Sequence, residues 1–249
     1  MLGQFFNVVL YRPLFNGFVA LYNIIPDVGI VILIITIIIK LVLYPLTQSS
    51  IKSQKALNDL QPKMEEIKRK YKDNQQQLAA ETMKLYKENK VNPFASCLPL
   101  LIQMPILIAL CYVLRSGLAS NNFDLLYSFV KNPEHINTLS LGFIDLSKRS
   151  VIFAFLAGGS QFLQTKMMMR KKAPAVAGAG AKDENMMAMM NKQMLYFMPI
   201  LTVFIGFQLP GGLTLYWFLS TLFTTLQQLI IFKKKNNTLA GNIIEGKVE

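Results

Sequence analysis

The sequence predicts an all-α polytopic membrane protein, and three observations carry that prediction. Hydrophobic residues make up 52% of the 249 residues and charged residues only 16%, which is not the balance of an ordinary soluble domain. Five apolar segments approach the roughly 20 residues that a helix needs to cross a hydrocarbon core about 30 Å thick. Basic residues, finally, crowd into alternate connections between those segments, as they do when one side of a membrane protein faces the cytoplasm.

Residues 1–27 mix apolar and aromatic side chains with Arg12 and Pro13. These two interrupt any leader-like apolar core, so an extracytoplasmic interfacial helix is expected here, not a cleavable signal peptide. The first span is expected at 28–49. A second, at 95–114, contains Pro99 and Pro105, which free backbone groups and call for a kinked helix packed inside a bundle. The third is expected at 150–168. The fourth, 194–209, is short and runs through the turn sequence QLPGG into the fifth, 213–232, so these two form a hairpin.

With five crossings, segments 50–94, 166–193 and 233–249 share one side and carry twenty of the 26 Lys and Arg residues. Segments 1–27 and 115–149 carry five, and Lys40 is the remaining one. The N-terminus is therefore expected outside and the C-terminus inside, with a basic tail at 233–249. This bias accounts for the net charge of +12 without nucleic acid, although such a face also suits anionic lipid or ribosomal RNA.

Between the first two spans, Leu57, Leu60, Met64, Ile67 and Tyr71 recur at spacings of three and four. A turn at Lys72–Asn74 follows, then a second helical stretch, so 50–94 reads as a cytoplasmic helical hairpin. It is either a solvated linker or a docking arm. The segment 169–193 holds the low-complexity run APAVAGAGAKDEN and is expected to be a flexible loop. Nine of the 13 methionines fall between residues 167 and 198. They form a surface for varied apolar partners, or simply finish two helix ends.

Lys40 lies within IITIIIKLVLYPLT, near the middle of the first expected span. A lysine at the centre of an isolated membrane helix costs about 2.5 to 3.5 kcal/mol on insertion scales. Thr36, one turn earlier, shares its face. No acidic residue occurs in the five spans, so an ion pair between them is excluded. The neutral oxygens on offer belong to Ser160, Gln161, Gln164 and Thr165 in the third span, and to Tyr216, Ser220, Thr221, Thr224 and Gln227 in the fifth, with Trp217 adding an amphipathic ring. These polar groups are either glue between helices or the lining of a hydrated, positively charged concavity. Cys97, Cys111 and His135 cannot assemble a disulfide framework or a metal cluster. No nucleophile with a base, and no phosphate-binding glycine loop, appears in the spans, so neither an enzyme nor a bound cofactor is expected.

Several stretches carry a resemblance to a known family. They are IIIKLVLYPLT at 37–47, LQPKMEEIKRKYKDN at 60–74, LYKENKVNPFASCLPLLIQMPILIALCYVL at 85–114, MLYFMPILTVFIGFQLPGGLTLYWFLSTL at 194–222 and LQQLIIFKK at 226–234. Together they resemble the YidC family of membrane protein insertases, in a short form without the large extracytoplasmic domain of many diderm relatives. The resemblance implies five transmembrane helices around a hydrophilic groove open to the cytoplasm and laterally to lipid. The family's basic groove residue, usually arginine, falls on Lys40, and substrate contact maps to Gln161, Gln164, Tyr216 and Trp217. Expected partners are nascent membrane proteins, membrane lipid, the ribosome and the Sec translocon, with no small-molecule substrate. A transporter or anion channel, and a structural assembly factor, are the rival readings.

Overall fold

A computed structural model describes residues 2–92, 94, 98–115, 124–168 and 195–244, and the chain in it divides into two compact units. The first comprises residues 1–44, 99–161 and 199–223, the second 45–98, 162–198 and 224–249. The expected loop 169–193 lies outside the described residues.

The first unit begins with helix α1 (Leu2–Phe6), a π-helical turn (Asn7–Tyr11) and α2 (Arg12–Ile24). Phe15, Phe18, Val19 and Tyr22 recur at i, i+3, i+4 and i+7, the spacing of one helical face, and all four are buried. Pro26 then ends the helix, because the residue before a proline is pushed out of the helical region. Ile25 is accordingly extended, with φ −126° and ψ 97°. Asp27 follows as the N-cap of α3 (Val28–Val42), its Oδ1 accepting hydrogen bonds from Gly29 N at 2.9 Å and Ile30 N at 3.1 Å.

The sequence is silent about the shape of the segment after the second apolar helix, α7 (Leu98–Arg115), and here the structure supplies it. Residues 124–149 form an ordered cover with a two-stranded hairpin, β1 (Leu139–Ser140) against β2 (Ile144–Asp145). Side chains of α2 hold it in place. Asn16 accepts from Tyr127 N at 2.6 Å and donates to Leu125 O at 3.1 Å, and Tyr22 Oη accepts from Asn137 N at 2.8 Å. Asp27 reaches the hairpin itself, accepting from Ser140 Oγ and from Leu141 N, both at 2.6 Å. Val130, Ile136 and Leu146 of the cover join α2, α3 and α7 in one buried core.

Helix α8 (Val151–Met168) follows directly, then α9 (Leu195–Gly206) and α10 (Gly211–Ile244). A Cβ on Gly206 would stand 3.0 Å from that of Ala154, so small residues let α8 and α9 approach closely, as is common between membrane helices. At the start of α10, Gly211 N donates to Lys148 O at 2.7 Å and Gly212 N to Leu146 O at 2.9 Å. A side chain on Gly211 would meet Lys148 O at 2.9 Å. Glycine is needed here for close approach.

In the second unit α4 (Tyr44–Asp59) leads to α5 (Gln61–Lys70) and α6 (Gln75–Glu88). The α5–α6 pair is a helical hairpin closed by Leu60, Met64 and Leu85, with Ile67, Tyr86 and Val91 packed against them. Leu57 and Tyr71, the ends of the expected seam, stay outside this cluster. Helices α4 and α5 are separated at Leu60, two residues before Pro62, which has no N–H for the ladder. Asn74 caps α6 through Gln77 N, and Lys90, at φ 53°, terminates it.

Three span boundaries require correction. The first expected span, 28–49, is not one helix: it stops at Val42, breaks at Leu43 (φ −87°, ψ 1°) and restarts at Tyr44. Pro45 has no N–H to return to Leu41 O, so the ladder cannot run through. The fourth, expected at 194–209, ends at Gly206 because Pro210 and the glycines after it enforce a turn. The fifth runs on to Ile244, since the KKKNN stretch lacks any helix breaker and continues the expected tail as helix. Among the described residues, one helix taken alone, Gly211–Lys233, is long and apolar enough to cross a membrane, and Val28–Val42 with Tyr44–Asp59 meets that test only as a bent pair.

Two outcomes test this core. Phe18→Ala removes a fully buried ring and is expected to cost about 3–5 kcal/mol, read from thermal unfolding in detergent. Burial alone would raise the Asp27 carboxyl, but the Ser140 hydroxyl and the N–H groups of Leu141, Ile30 and Gly29 outweigh it and hold it below the usual value. A group with its folded pKa lowered contributes stability above its unfolded value, near pH 4, and loses it as pH falls through the lower folded value. Asp27→Asn is therefore expected to unfold at a lower temperature at neutral pH, with the gap to the parent chain closing below about pH 4.

Candidate functional site

The break at Leu43 changes the setting of Lys40. In an unbroken helix it would stand near mid-span, but in the structure it occupies the last turn of α3, half-buried. The last four carbonyls of a helix have no partner within it, and together they amount to about half a negative charge. A cation placed there gains typically 0.3–1 kcal/mol, and up to about 2 when partly buried. The main chain thus offsets part of the cost of the charge where no acidic side chain is within the apolar helices. Thr36, one turn back on the same face, is fully buried, and its Oγ1 donates to Ile32 O at 2.6 Å.

A second polar cluster forms between α7 and α10. Tyr216 is fully buried, and its hydroxyl accepts a 2.8 Å hydrogen bond from Gln103 Nε2. Ser220, one turn along α10, donates from Oγ to Gln103 Oε1 at 3.4 Å. The amide of Gln103 therefore clips two consecutive turns of α10. Gln103 is absent from the residues expected on sequence grounds, although it sits in LLIQMPI as the one polar side chain between Leu98 and Leu110. That isolation was the available signal, by the same logic that singles out Lys40.

The expected residues fall into both units. Thr36, Lys40, Gln161, Tyr216, Trp217 and Ser220 belong to the first, and Gln164 and Thr224 to the second. Gln161 and Gln164 lie half-buried on α8, and Trp217 and Thr224 half-buried on α10. Within the second unit, Thr47 Oγ1 donates to Gln227 Oε1 at 3.1 Å and the Lys55 ammonium lies 4.4 Å from the centre of the Phe232 ring. Ser50 and Gln228 are almost completely buried there, and Gln228 Oε1 has no hydrogen-bond partner. A buried acceptor left so is costly until a donor reaches it.

This arrangement has the parts for binding. Among the described residues, no group of three or more His, Cys, Asp or Glu side chains could hold a metal ion. What is present is a cation beside helix-end carbonyls, and amides and hydroxyls on apolar helices.

The profile of the 60Kd inner membrane protein family matches residues 20–238. The chain is 39% identical over 206 residues to a membrane protein insertase YidC of Fusobacterium nucleatum, covering 83% of this chain and 86% of that one. It is 36% identical over 209 residues to a membrane protein insertase YidC of Oceanobacillus iheyensis, covering 82% and 74%. A membrane protein insertase YidC 1 of Listeria monocytogenes is 35% identical over 236 residues, covering 92% and 70%.

Gln103→Leu takes the donor from a fully buried Tyr216 hydroxyl. It is expected to cost about 1–3 kcal/mol, measured by thermal unfolding in detergent, and Tyr216→Phe in the same background is expected to add little.

Proposed function

Because this chain belongs to the 60Kd inner membrane protein family, we propose that it is a membrane protein insertase and chaperone of the bacterial plasma membrane, not an enzyme. Lys40 is the observation that carries this reading: a cation in the last turn of an apolar helix, on the face it shares with Thr36. A charge kept within an apolar membrane segment points to a binding role.

In this proposal five helices cross the membrane, with the N-terminus outside and the C-terminus inside, and enclose a hydrophilic groove open to the cytoplasm. Lys40, Gln161 and Trp217 face it, and the buried Thr36, Tyr216 and Ser220 support them from behind. Gln164 and Thr224, about one turn further along α8 and α10, extend those helix faces. Water in the groove shortens the apolar distance that a substrate's polar segment must cross. Lys40 attracts acidic or polar groups of that segment while the substrate's apolar helix slides into lipid between α8 and α10.

The energy comes from the substrate itself. A leucine, isoleucine, phenylalanine or valine at the centre of a spanning helix contributes on the order of −0.3 to −0.6 kcal/mol on insertion scales, so a whole span supplies several kcal/mol without a nucleotide. Lysine keeps the charge but not the planar fork of an arginine, so it acts as a point charge and not a bidentate clamp. The α5–α6 hairpin and the basic C-terminal stretch receive the nascent chain or the ribosome. The protein acts alone or beside the Sec translocon.

Reconstituted vesicles and a single-span substrate with a short acidic translocated tail test the role of Lys40. Lys40→Ala is expected to lower insertion several-fold and Lys40→Arg to preserve it. Equal insertion by the alanine variant would remove Lys40 from the mechanism.

A further inference from the structure

The hairpin β1–β2 ends in an apolar tip, and its place in the fold says what covers it. Leu141 and Gly142 are the central residues of the turn, with φ of 52° and 82°, and Phe143 N closes it onto Ser140 O at 3.2 Å. Two successive positive φ values favour asparagine, aspartate or glycine. Glycine fills the second position, but the first holds a leucine, 63% exposed, and Phe143 beside it is 76% exposed. Leu139 on β1 is exposed as well. Turn chemistry does not call for these side chains, and in water each would be a cost.

The tip sits where three apolar helices begin. Asp27, the N-cap of α3, bonds to Ser140 and Leu141 in the turn itself. Helix α8 starts at Val151, a few residues after Phe143, and its exposed Val151, Ile152 and Phe155 begin a lipid-facing stripe. The first amides of α10 bond to Leu146 and Lys148. The hairpin is thereby fixed at the level where α3, α8 and α10 leave the hydrocarbon. Lys148 and Arg149 are exposed just before α8, placed as basic residues are at the water end of a membrane helix, within reach of lipid phosphates.

We propose that the Leu139–Phe143 tip inserts into the headgroup and acyl boundary of the leaflet at this end. It would anchor the cover of the first unit to lipid, with Lys148 and Arg149 meeting the phosphate layer. The inference rests on the reading of α3, α8 and α10 as membrane helices, and not on insertase activity.

Tryptophan placed at the tip tests it. Phe143→Trp and, separately, Leu139→Trp are made in a full-length chain carrying Trp217→Phe, so that one indole reports. The chain is reconstituted in phosphatidylcholine and phosphatidylglycerol vesicles with bromine near the headgroup end of the acyl chains. Both tip indoles are expected to be strongly quenched by bromolipid and several-fold less accessible to acrylamide than an indole at His135→Trp, on the polar part of the same cover. Quenching by acrylamide alone would overturn the proposal. So would protection from both quenchers, which marks contact with another protein or a second copy, and so would equal bromolipid quenching at positions 143 and 135. Insertion is assayed in parallel with Phe143→Trp in a chain retaining Trp217. A wet tip with normal insertion removes the anchor alone, whereas a quenched tip in a parent chain that inserts nothing removes the insertase reading alone.

Discussion

The first amides of an apolar helix need acceptors from outside the helix, and in this protein one carboxylate supplies them for two of the first amides of α3. Asp27 accepts from Gly29 and Ile30 at the helix start and, with its remaining capacity, from Ser140 and Leu141 of the hairpin. The cover is thus fastened to the same atoms that begin the helix. From there the first unit follows: α2 lies under the cover through Asn16 and Tyr22, and Leu146 and Lys148, just after the hairpin, take up the amides of Gly212 and Gly211 at the start of α10. Pro26 has a part in this, since it stops α2 and leaves Asp27 extended enough to cap.

The other end of α3 is governed by the complementary constraint. Pro45 cannot donate to the carbonyl one turn back, so α3 stops at Val42 with Lys40 in its last turn. The negative end of the helix dipole and a cation then occupy the same end of the helix, each reducing the cost of the other. A charge that looks misplaced in a continuous span is thereby suited to its position. The proline that shortens the helix and the lysine that precedes it work as one local device.

Much of this was open to a reader of the sequence. Helix α2 is visible in the spacing of Phe15, Phe18, Val19 and Tyr22, and the α5–α6 hairpin in Leu60, Met64 and Ile67 with the Lys72–Asn74 turn, because amphipathic periodicity is a local property. The family was legible in the stretches around Lys40, Gln103 and Tyr216, and the comparison with relatives agrees. Other features were hidden. The long helix after Gly211 runs through KKKNN, where basic and polar composition suggested a tail; helix continuation depends on the absence of breakers, which composition does not report. The order of residues 124–149 was hidden as well, since it rests on Asn16, Tyr22 and Asp27 bonding to residues more than a hundred positions away.

The sequence by itself determined the apolar, helical character of the chain, its family, and the presence of a lysine within an apolar segment. These follow from composition and short-range spacing. The structure decided that Lys40 stands at a helix end, that Gln103 joins Tyr216 to Ser220, and that residues 140–148 bond to the starts of α3 and α10. The first depends on where a local break falls and the others on contacts between residues far apart in the chain, and side-chain periodicity carries no record of either.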